Sequence, residues 1–366
     1  MRFCLPKVQG RGAGLGNELI PWTKAFIASA ELGIPLLPPA FGLNRFGYRQ
    51  YFHTSRFDWI THRILSRILP TITFTEADYL ATGEQDFDRA IGRFAVAHGL
   101  HDRRAYVLVL EGMWGGYFAL RKATPFVWQT LYRSTGVAQK LYALRKRLTA
   151  GRVKVAVHMR LGDFAQASQI QSFQGRFNAS LPLEWYMATC RSIYEAVDGR
   201  VQFILLTDGK AEQIRPFLEA FDPVTTFDLP DTVCSDLLAM AHADLIVCSV
   251  SSFSMCAAWI SNVPYIWYLG NLQDHADALS LWGHESAQQP PSGVTAMNLS
   301  TVRKLMTTGQ GQFLDPRGVP VDDDGLLPDT VVRYLDVRAN MQQEASDLLL
   351  YGAVPKSVLV RTVHND

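Results

Sequence analysis

Residues 153–268 alternate short apolar runs with segments of helical periodicity, and no other feature of the sequence constrains the fold as strongly. Strands are predicted over residues 153–157, 203–206, 245–248 and 265–267, and helices over residues 184–197, 211–220, 236–243 and 253–260. Strands joined by crossover helices form a parallel sheet that is covered on both faces. The pattern therefore predicts a Rossmann-like α/β domain, with a kink at Pro216 in the second of these helices.

The first part of the chain contains similar elements in a less regular order. A glycine-rich turn ends at Gly16 and leads into a helix predicted over residues 18–32. A strand is predicted over residues 106–110, and residues 124–147 are mostly helical. The aromatic, arginine-rich segment 41–67 fits either the wall of an acceptor groove or a packed, irregular core.

A polar, basic stretch at residues 145–152 is typical of a domain boundary. We therefore predict two domains, residues 1–150 and residues 151–366, the second with a C-terminal extension that includes a helix near residues 329–350.

Charge, hydropathy and cysteine content exclude several classes of protein. The 35 Lys and Arg residues nearly balance 34 Asp and Glu, so no whole-chain charge favours a nucleic acid. No apolar run reaches the roughly 18–20 residues of a membrane-spanning helix. Five cysteines without a C-x-x-C pair argue against a disulfide framework or a zinc site. We expect a cytoplasmic protein without a metal or a cofactor, and association with a membrane surface stays open.

Closely spaced glycines precede the first predicted helix. Gly14, Gly16 and the neighbouring backbone N–H groups could approach an anion at a helix N-terminus. The spacing fits neither the dinucleotide fingerprint nor a P-loop. The alternative is a tight turn in which Asn17 caps the helix.

Two further motifs follow predicted strands, where open α/β sheets bind ligands. His158 and Arg160 are two residues apart and point to one side of an extended backbone, where the arginine could hold a diphosphate. The alternative is an Arg160–Asp163 ion pair with His158 in the core. Asp208 follows the next strand, and here an Asp-Gly turn is the simpler interpretation.

A fourth segment runs from Asp236 through a strand to a serine-rich turn. Ser251, Ser252 and Phe253 stand at the start of a predicted helix, where backbone amides suit a phosphate. Asp236 could accept hydrogen bonds from a base edge or cap its own helix. The D-x-D pair at Asp86 and Asp88 is interpreted as a solvated loop, because no apolar strand precedes it.

Taken in order, these segments resemble the superfamily of fucosyltransferases that use GDP-fucose, most of all bacterial α-1,2-fucosyltransferases. Residues 14–19 (GLGNEL) are similar to its G-x-G-N-Q-L opening, and residues 158–163 (HMRLGD) to its H-x-R-R-G-D signature. Residues 205–208 resemble its F-S-D-D turn, and residues 236–259 its D-L-x-x-M block with two serines. Leu161 departs from the pattern, since the group has a second arginine there.

The resemblance implies a GT-B fold, in which two Rossmann-like domains face each other across a cleft and no metal is required. The N-terminal domain would lie on the acceptor side, and the C-terminal domain would bind the nucleotide sugar. Arg160 would hold the β-phosphate beside His158, Asp236 would read the guanine, and the Ser251–Phe253 turn would contact the nucleotide. Asn17 and its glycine loop would reach across the cleft.

The resulting prediction is an inverting transferase that moves fucose from GDP-fucose to a glycan hydroxyl. One alternative keeps the fold with another nucleotide sugar as donor. A second alternative, favoured by Leu161, is a non-catalytic relative that binds a glycan or a nucleotide. Asp163, Glu111 and Glu184 are candidates for the general base, and none of them is preferred.

Overall fold

The computed structural model describes residues 1–8, 13–84, 86–113, 117–162, 165–166, 179–269, 273–275, 278–280 and 317–344. Within these ranges no helix is both long enough and apolar enough to cross a membrane.

The first half of the described chain contains a small parallel sheet and seven α-helices among its described residues. The elements are β1 (Arg2–Lys7), α1 (Leu15–Leu32), α2 (Tyr48–Phe52), α3 (Asp58–Ile68), β2 (Thr71–Phe74), α4 (Glu76–Thr82), α5 (Phe87–Ala97), β3 (Tyr106–Glu111), α6 (Thr124–Tyr132) and α7 (Val137–Arg145), with 3-10 turns at Phe41–Leu43 and Phe118–Ala123. The strands lie in the order β1-β3-β2, and Leu5 pairs with Val109. A parallel sheet needs cover on its faces, and α1 and α5 supply it on one side.

The second half is built on a six-stranded sheet. Its elements are β4 (Val153–Met159), β5 (Ala165–Gln166), β6 (Ala179–Ser180), α8 (Leu183–Ala196), β7 (Val201–Thr207), a 3-10 turn (Ala211–Ile214), α9 (Arg215–Phe221), β8 (Val224–Thr225), α10 (Val233–His242), β9 (Leu245–Val247), α11 (Ser252–Ile260), β10 (Tyr265–Tyr268), β11 (Gln273–His275), β12 (Ala278–Ser280), β13 (Gly318–Val321) and α12 (Asp329–Glu344). The sheet order is β13-β10-β9-β4-β7-β8, and every pairing in it is parallel. Near-continuous apolar runs such as VQFILLT suit strands that are buried on both faces.

The two faces of this sheet belong to different parts of the core. Val155 and its neighbours on one face pack with α8, α9 and α12. Ala156 and Ile246 on the other face pack with α10 and α11 and join the cluster that includes Leu19 and Phe74 of the first half. One hydrophobic core therefore runs from the small sheet to the large one.

Two parallel sheets with helical cover confirm the predicted α/β class of two Rossmann-like units that face each other across a cleft. The boundary near residue 150 stays a prediction, although α6 and α7 pack against α10 of the second half. The prediction of a single helix over residues 211–220 with a kink at Pro216 is wrong. A 3-10 turn ends at Ile214, and Pro216 stands in the first turn of α9, where its missing N–H costs nothing.

Candidate active site

A cavity of about 550 Å³ lies between the two halves of the chain, at the carboxyl ends of β4 and β7 and the N-termini of α1 and α11. The structure brings all ten residues singled out from the sequence into its wall. They are Gly14, Gly16, Asn17, His158, Arg160, Asp208, Asp236, Ser251, Ser252 and Phe253.

Asn17 does not cap α1, and that interpretation is wrong. The helix begins at Leu15 after Gly14, whose backbone is extended, and the N–H of Asn17 already donates to the Gly14 carbonyl at 3.0 Å. Gly14 precedes the helix and offers no side-chain cap. The side-chain oxygen of Asn17 is buried at the cavity and has no hydrogen-bond partner among the described residues.

Gly16 is the point of closest approach between α1 and α11. A Cβ atom placed on it would lie 2.4 Å from the carbonyl carbon of Ser252, so no larger residue fits without a backbone shift. Tyr117 donates to the Gly16 carbonyl at 2.5 Å, and its ring stacks on Trp259 of α11. At Gly14 there is room for a side chain, because a Cβ atom placed on it would have no described atom within 4 Å.

Arg160 is held at the cavity by an ion pair with Asp208. The Nη1 atom of Arg160 lies 2.5 Å from Oδ2 of Asp208. The other carboxylate oxygen accepts the backbone N–H groups of Leu161, at 2.8 Å, and Gly162, at 3.0 Å. The register of β4 and β7, which pairs Met159 with Thr207, places the two residues side by side. Asp208 is therefore more than an Asp-Gly turn, because it anchors both the guanidinium and its loop.

His158 is buried at the base of the cavity. Its Nδ1 atom lies 2.7 Å from Oγ of Ser254 and 2.8 Å from Oγ of Ser249. Burial lowers the pKa of His158 to about 4, with a smaller opposing effect of the Asp208 charge, so the imidazole is neutral at physiological pH. A neutral ring has one N–H and one acceptor nitrogen, which suits hydrogen bonding rather than charge.

The serine-rich turn forms the N-terminus of α11. The hydroxyl of Ser251 caps the helix by accepting the N–H of Ser254 at 3.2 Å. The first N–H groups of a helix have no partner within it, and here they belong to Ser252 and Phe253 at the cavity wall. Together with the helix dipole they favour an anion at this position.

Asp236 lies in the first turn of α10 and does not cap it, because the capping position is Thr232. One carboxylate oxygen accepts the hydroxyl of Thr232 at 2.7 Å, whereas Oδ1 is buried without a partner among the described residues. Burial raises the pKa of Asp236 to about 7, against the smaller lowering effects of hydrogen bonds from Thr232 and Thr226. A bound ligand could supply the hydrogen-bond donor that Oδ1 of Asp236 lacks among the described residues.

Four further cavity residues, Phe46, Tyr48, Tyr51 and Asp231, were not singled out from the sequence. Burial, together with the charge of Asp231 and a hydrogen bond to it, raises the pKa of Tyr51 to about 12. The aromatic composition of residues 41–67 was the available signal. The interpretation as a packed core holds for part of the segment, and the acceptor groove stays a prediction. Phe46, Tyr48 and Tyr51 line the cavity, whereas Phe41 packs on Trp22 in the core.

None of the three candidate bases is found in the described wall of this cavity. Glu111 pairs with Lys7 at 2.5 Å, and Glu184 lines a separate cavity of about 200 Å³. Asp163 lies outside the described residues.

In the part of the chain that the structure describes, no three His, Cys, Asp or Glu side chains form a group that could hold a metal ion. Asp86 and Asp88 stand at the start of α5, where Asp88 pairs with Lys122, rather than in a loop.

No protein-family model matches the chain, and no curated protein does either. Among solved structures, it is similar to the fucosyltransferase NodZ from Bradyrhizobium, with 15% identity, a TM-score of 0.43, and coverage of 71% of this chain and 93% of that one. It is also similar to POFUT1 in complex with GDP-fucose, with 12% identity, a TM-score of 0.43, and coverage of 72% and 97%. These are distant similarities.

Proposed function

We propose that the protein is an inverting glycosyltransferase that transfers fucose from GDP-fucose to a glycan hydroxyl, with the α-1,2 linkage of the group its sequence resembles. One observation carries the proposal. A fixed guanidinium, a helix N-terminus and an unpartnered carboxylate oxygen line the same cavity. These groups match the three parts of the donor that need recognition, namely two phosphates and a base. A volume of about 550 Å³ suits a nucleotide sugar.

The diphosphate would lie between Arg160 and the N-terminus of α11. Breaking the bond between the sugar C1 and the phosphate oxygen leaves negative charge on GDP. A guanidinium that Asp208 already holds in place stabilises this charge without reorganising, whereas the neutral His158 can contribute a hydrogen bond. Removing such a contact costs about 3 kcal/mol, or roughly a hundredfold in rate.

The base of the nucleotide would be read by Asp236. Guanine presents adjacent N–H donors on its Watson–Crick edge, and an ionised carboxylate accepts such donors in pairs. The buried Oδ1 atom of Asp236 is an acceptor that would gain a partner in this way. A uracil lacks the second donor, so the same carboxylate would favour a GDP-sugar over a UDP-sugar.

Leu161 does not favour a non-catalytic role. Its side chain lies against Gly209, where a Cβ atom would come within 2.6 Å of it, and it lines the smaller cavity beside Tyr186. An arginine side chain directed as Leu161 is would start toward this smaller cavity. The departure from the family pattern therefore removes no group from the donor cavity.

We also propose a cytoplasmic location, with the acceptor approaching from the N-terminal half. All five cysteines are free and buried, which suits a reducing compartment. Phe46 and Tyr51 supply aromatic surface at the cavity for a sugar ring.

The proposal is tested by measuring the release of GDP or UDP from GDP-fucose, GDP-mannose and UDP-galactose, with and without a mixture of glycan acceptors. We expect turnover of GDP-fucose that rises with acceptor, persists in EDTA, and falls about a hundredfold in Arg160→Ala. Preference for UDP-galactose, or equal rates in wild type and Arg160→Ala, would overturn it.

A further inference from the structure

Helix α3 packs on a sheet, yet its side chains are unusually exposed to solvent. None of its eleven residues is buried. Phe57, which directly precedes the helix, is 53% exposed, and Ile64 and Ile68 are 51% and 62% exposed. At about 100° per residue, these three side chains form one row along the helix. We call Phe57, Ile64 and Ile68 the apolar row.

A different side of α3 holds the helix to the protein. Leu65 and Leu69 pack on Leu5 and Val109 of the first sheet. His62, on the same side, contacts the carbonyl of Pro38 at 2.9 Å. The helix is thus fixed by its inner side, and the exposure of the apolar row does not come from a detached helix.

Arginines accompany the apolar row. Arg67 lies beside it on the solvent side of α3, and the guanidinium of Arg56 stacks on the Phe57 ring at 4.7 Å. Arg63 is exposed further round the helix, where it lines a groove with His62. Residues 41–70 contain five arginines and a single acid, Asp58, whereas the whole chain has a formal charge of +1. The segment that carries the apolar row is therefore net positive.

We propose that the apolar row and its arginines form a surface that binds an anionic lipid bilayer. An apolar row flanked by arginines is the pattern of a helix that lies in the membrane interface, with its apolar side chains below the headgroups and its guanidinium groups on the phosphates. A second copy of this chain fits less well, because a symmetric contact would bring the same arginines together. This proposal holds whichever nucleotide sugar the enzyme uses as its donor substrate.

This surface lies next to the candidate active site. Phe46 and Tyr51 of the cavity wall belong to the segment of chain that leads into α3, and a Cβ atom placed on Gly42 of that segment would lie 2.7 Å from the Arg56 carbonyl oxygen. Bilayer contact through α3 would hold the cavity near the lipid surface.

The test is co-sedimentation of the full chain with vesicles of phosphatidylcholine alone and of phosphatidylcholine with one quarter phosphatidylglycerol. We expect binding to the anionic vesicles that is at least tenfold stronger than to neutral ones and that weakens with salt. The triple variant Phe57→Ser, Ile64→Ser and Ile68→Ser should lose about tenfold, and so should the double variant Arg63→Glu with Arg67→Glu.

The matched controls replace exposed apolar side chains and exposed arginines that lie outside α3. One is Val96→Ser, Leu326→Ser and Val337→Ser, at 73%, 66% and 55% exposure, and the other is Arg145→Glu with Arg191→Glu. Both should bind like wild type, and all variants should keep the wild-type Tm because the changed side chains are exposed. Absent binding to anionic vesicles, equal loss in the controls, or a solution dimer that the triple variant dissociates would overturn the proposal.

Discussion

Asp236 gives the cavity a pH dependence that can be measured without any acceptor. Burial raises its pKa from the ordinary value of 3.8 to about 7, so the folded protein keeps a proton there that the unfolded chain loses. The free energy of unfolding therefore falls as pH rises from about 4 to about 7, and this contribution is constant above that range. The whole effect is about 4 kcal/mol, of which about 2–3 kcal/mol is lost between pH 5 and pH 8.

The matched variant is Asp236→Asn, which keeps the shape and an acceptor for Thr232 but cannot ionise. Chemical unfolding of both proteins at several values between pH 5 and pH 8 isolates the contribution, because all other titrating groups are shared. The stability of wild type should fall relative to the variant by about 2–3 kcal/mol as pH rises. Parallel curves for the two proteins would refute the reasoning, since they would mean that Asp236 ionises normally.

Nucleotide binding should show the opposite dependence. A carboxylate with a pKa of about 7 is roughly one-tenth ionised at pH 6 and nine-tenths ionised at pH 8. If the ionised form accepts the guanine N–H groups, GDP should bind wild type about tenfold more weakly at pH 6 than at pH 8. Calorimetry on Asp236→Asn supplies the control, because titration of the GDP phosphates affects both proteins equally.

Three further substitutions separate the roles of residues in the cavity wall. Gly16→Ala should lower stability by about 2–3 kcal/mol, because the new Cβ meets the backbone of α11, and a drop in Tm of several degrees would show it. Gly14→Ala should leave Tm unchanged, so a loss of GDP affinity in this variant would report close approach of the ligand; a large drop in its Tm would contradict the open space seen at Gly14. Asp208→Asn keeps the acceptor for the loop N–H groups but removes the charge that holds Arg160, so kcat should fall at least tenfold with little change in Tm or in the donor KM. An unchanged kcat would mean that the ion pair does not position the guanidinium.

Local pattern was sufficient to predict most of the second half of the fold. Strands buried on both faces are nearly continuous apolar runs, and VKVAVHM and VQFILLT became β4 and β7. The start of β4 is as predicted, and the other three ends lie one or two residues beyond the predicted ones. The start of α1 could not be predicted in the same way. Asn17 is the better capping residue by type, yet the helix begins two residues before it, after an extended Gly14 that offers no side-chain cap.

The sequence was sufficient to predict where the candidate site lies in the fold. It was not sufficient to predict which residues form ion pairs and hydrogen bonds there. Arg160 and Asp208 both follow carboxyl ends of parallel strands, so their proximity follows from the fold class. Their ion pair requires β4 and β7 to be neighbours in a specific register, which apolar runs do not encode. The serine partners of His158 likewise lie more than 90 residues away, Ser249 after β9 and Ser254 in the first turn of α11.

The central claim is that the cavity binds a guanosine diphosphate through Arg160 without a metal. The most direct measurement is the shift in Tm produced by GDP, UDP, CDP and ADP at about a hundred times a micromolar Kd, with and without EDTA. Ligand at this excess adds about 2.7 kcal/mol to the free energy of unfolding, which raises Tm by a few degrees. We predict stabilisation by GDP alone, unaffected by EDTA and absent in Arg160→Ala. No shift with GDP, together with a clear shift from UDP or ADP, would contradict the account.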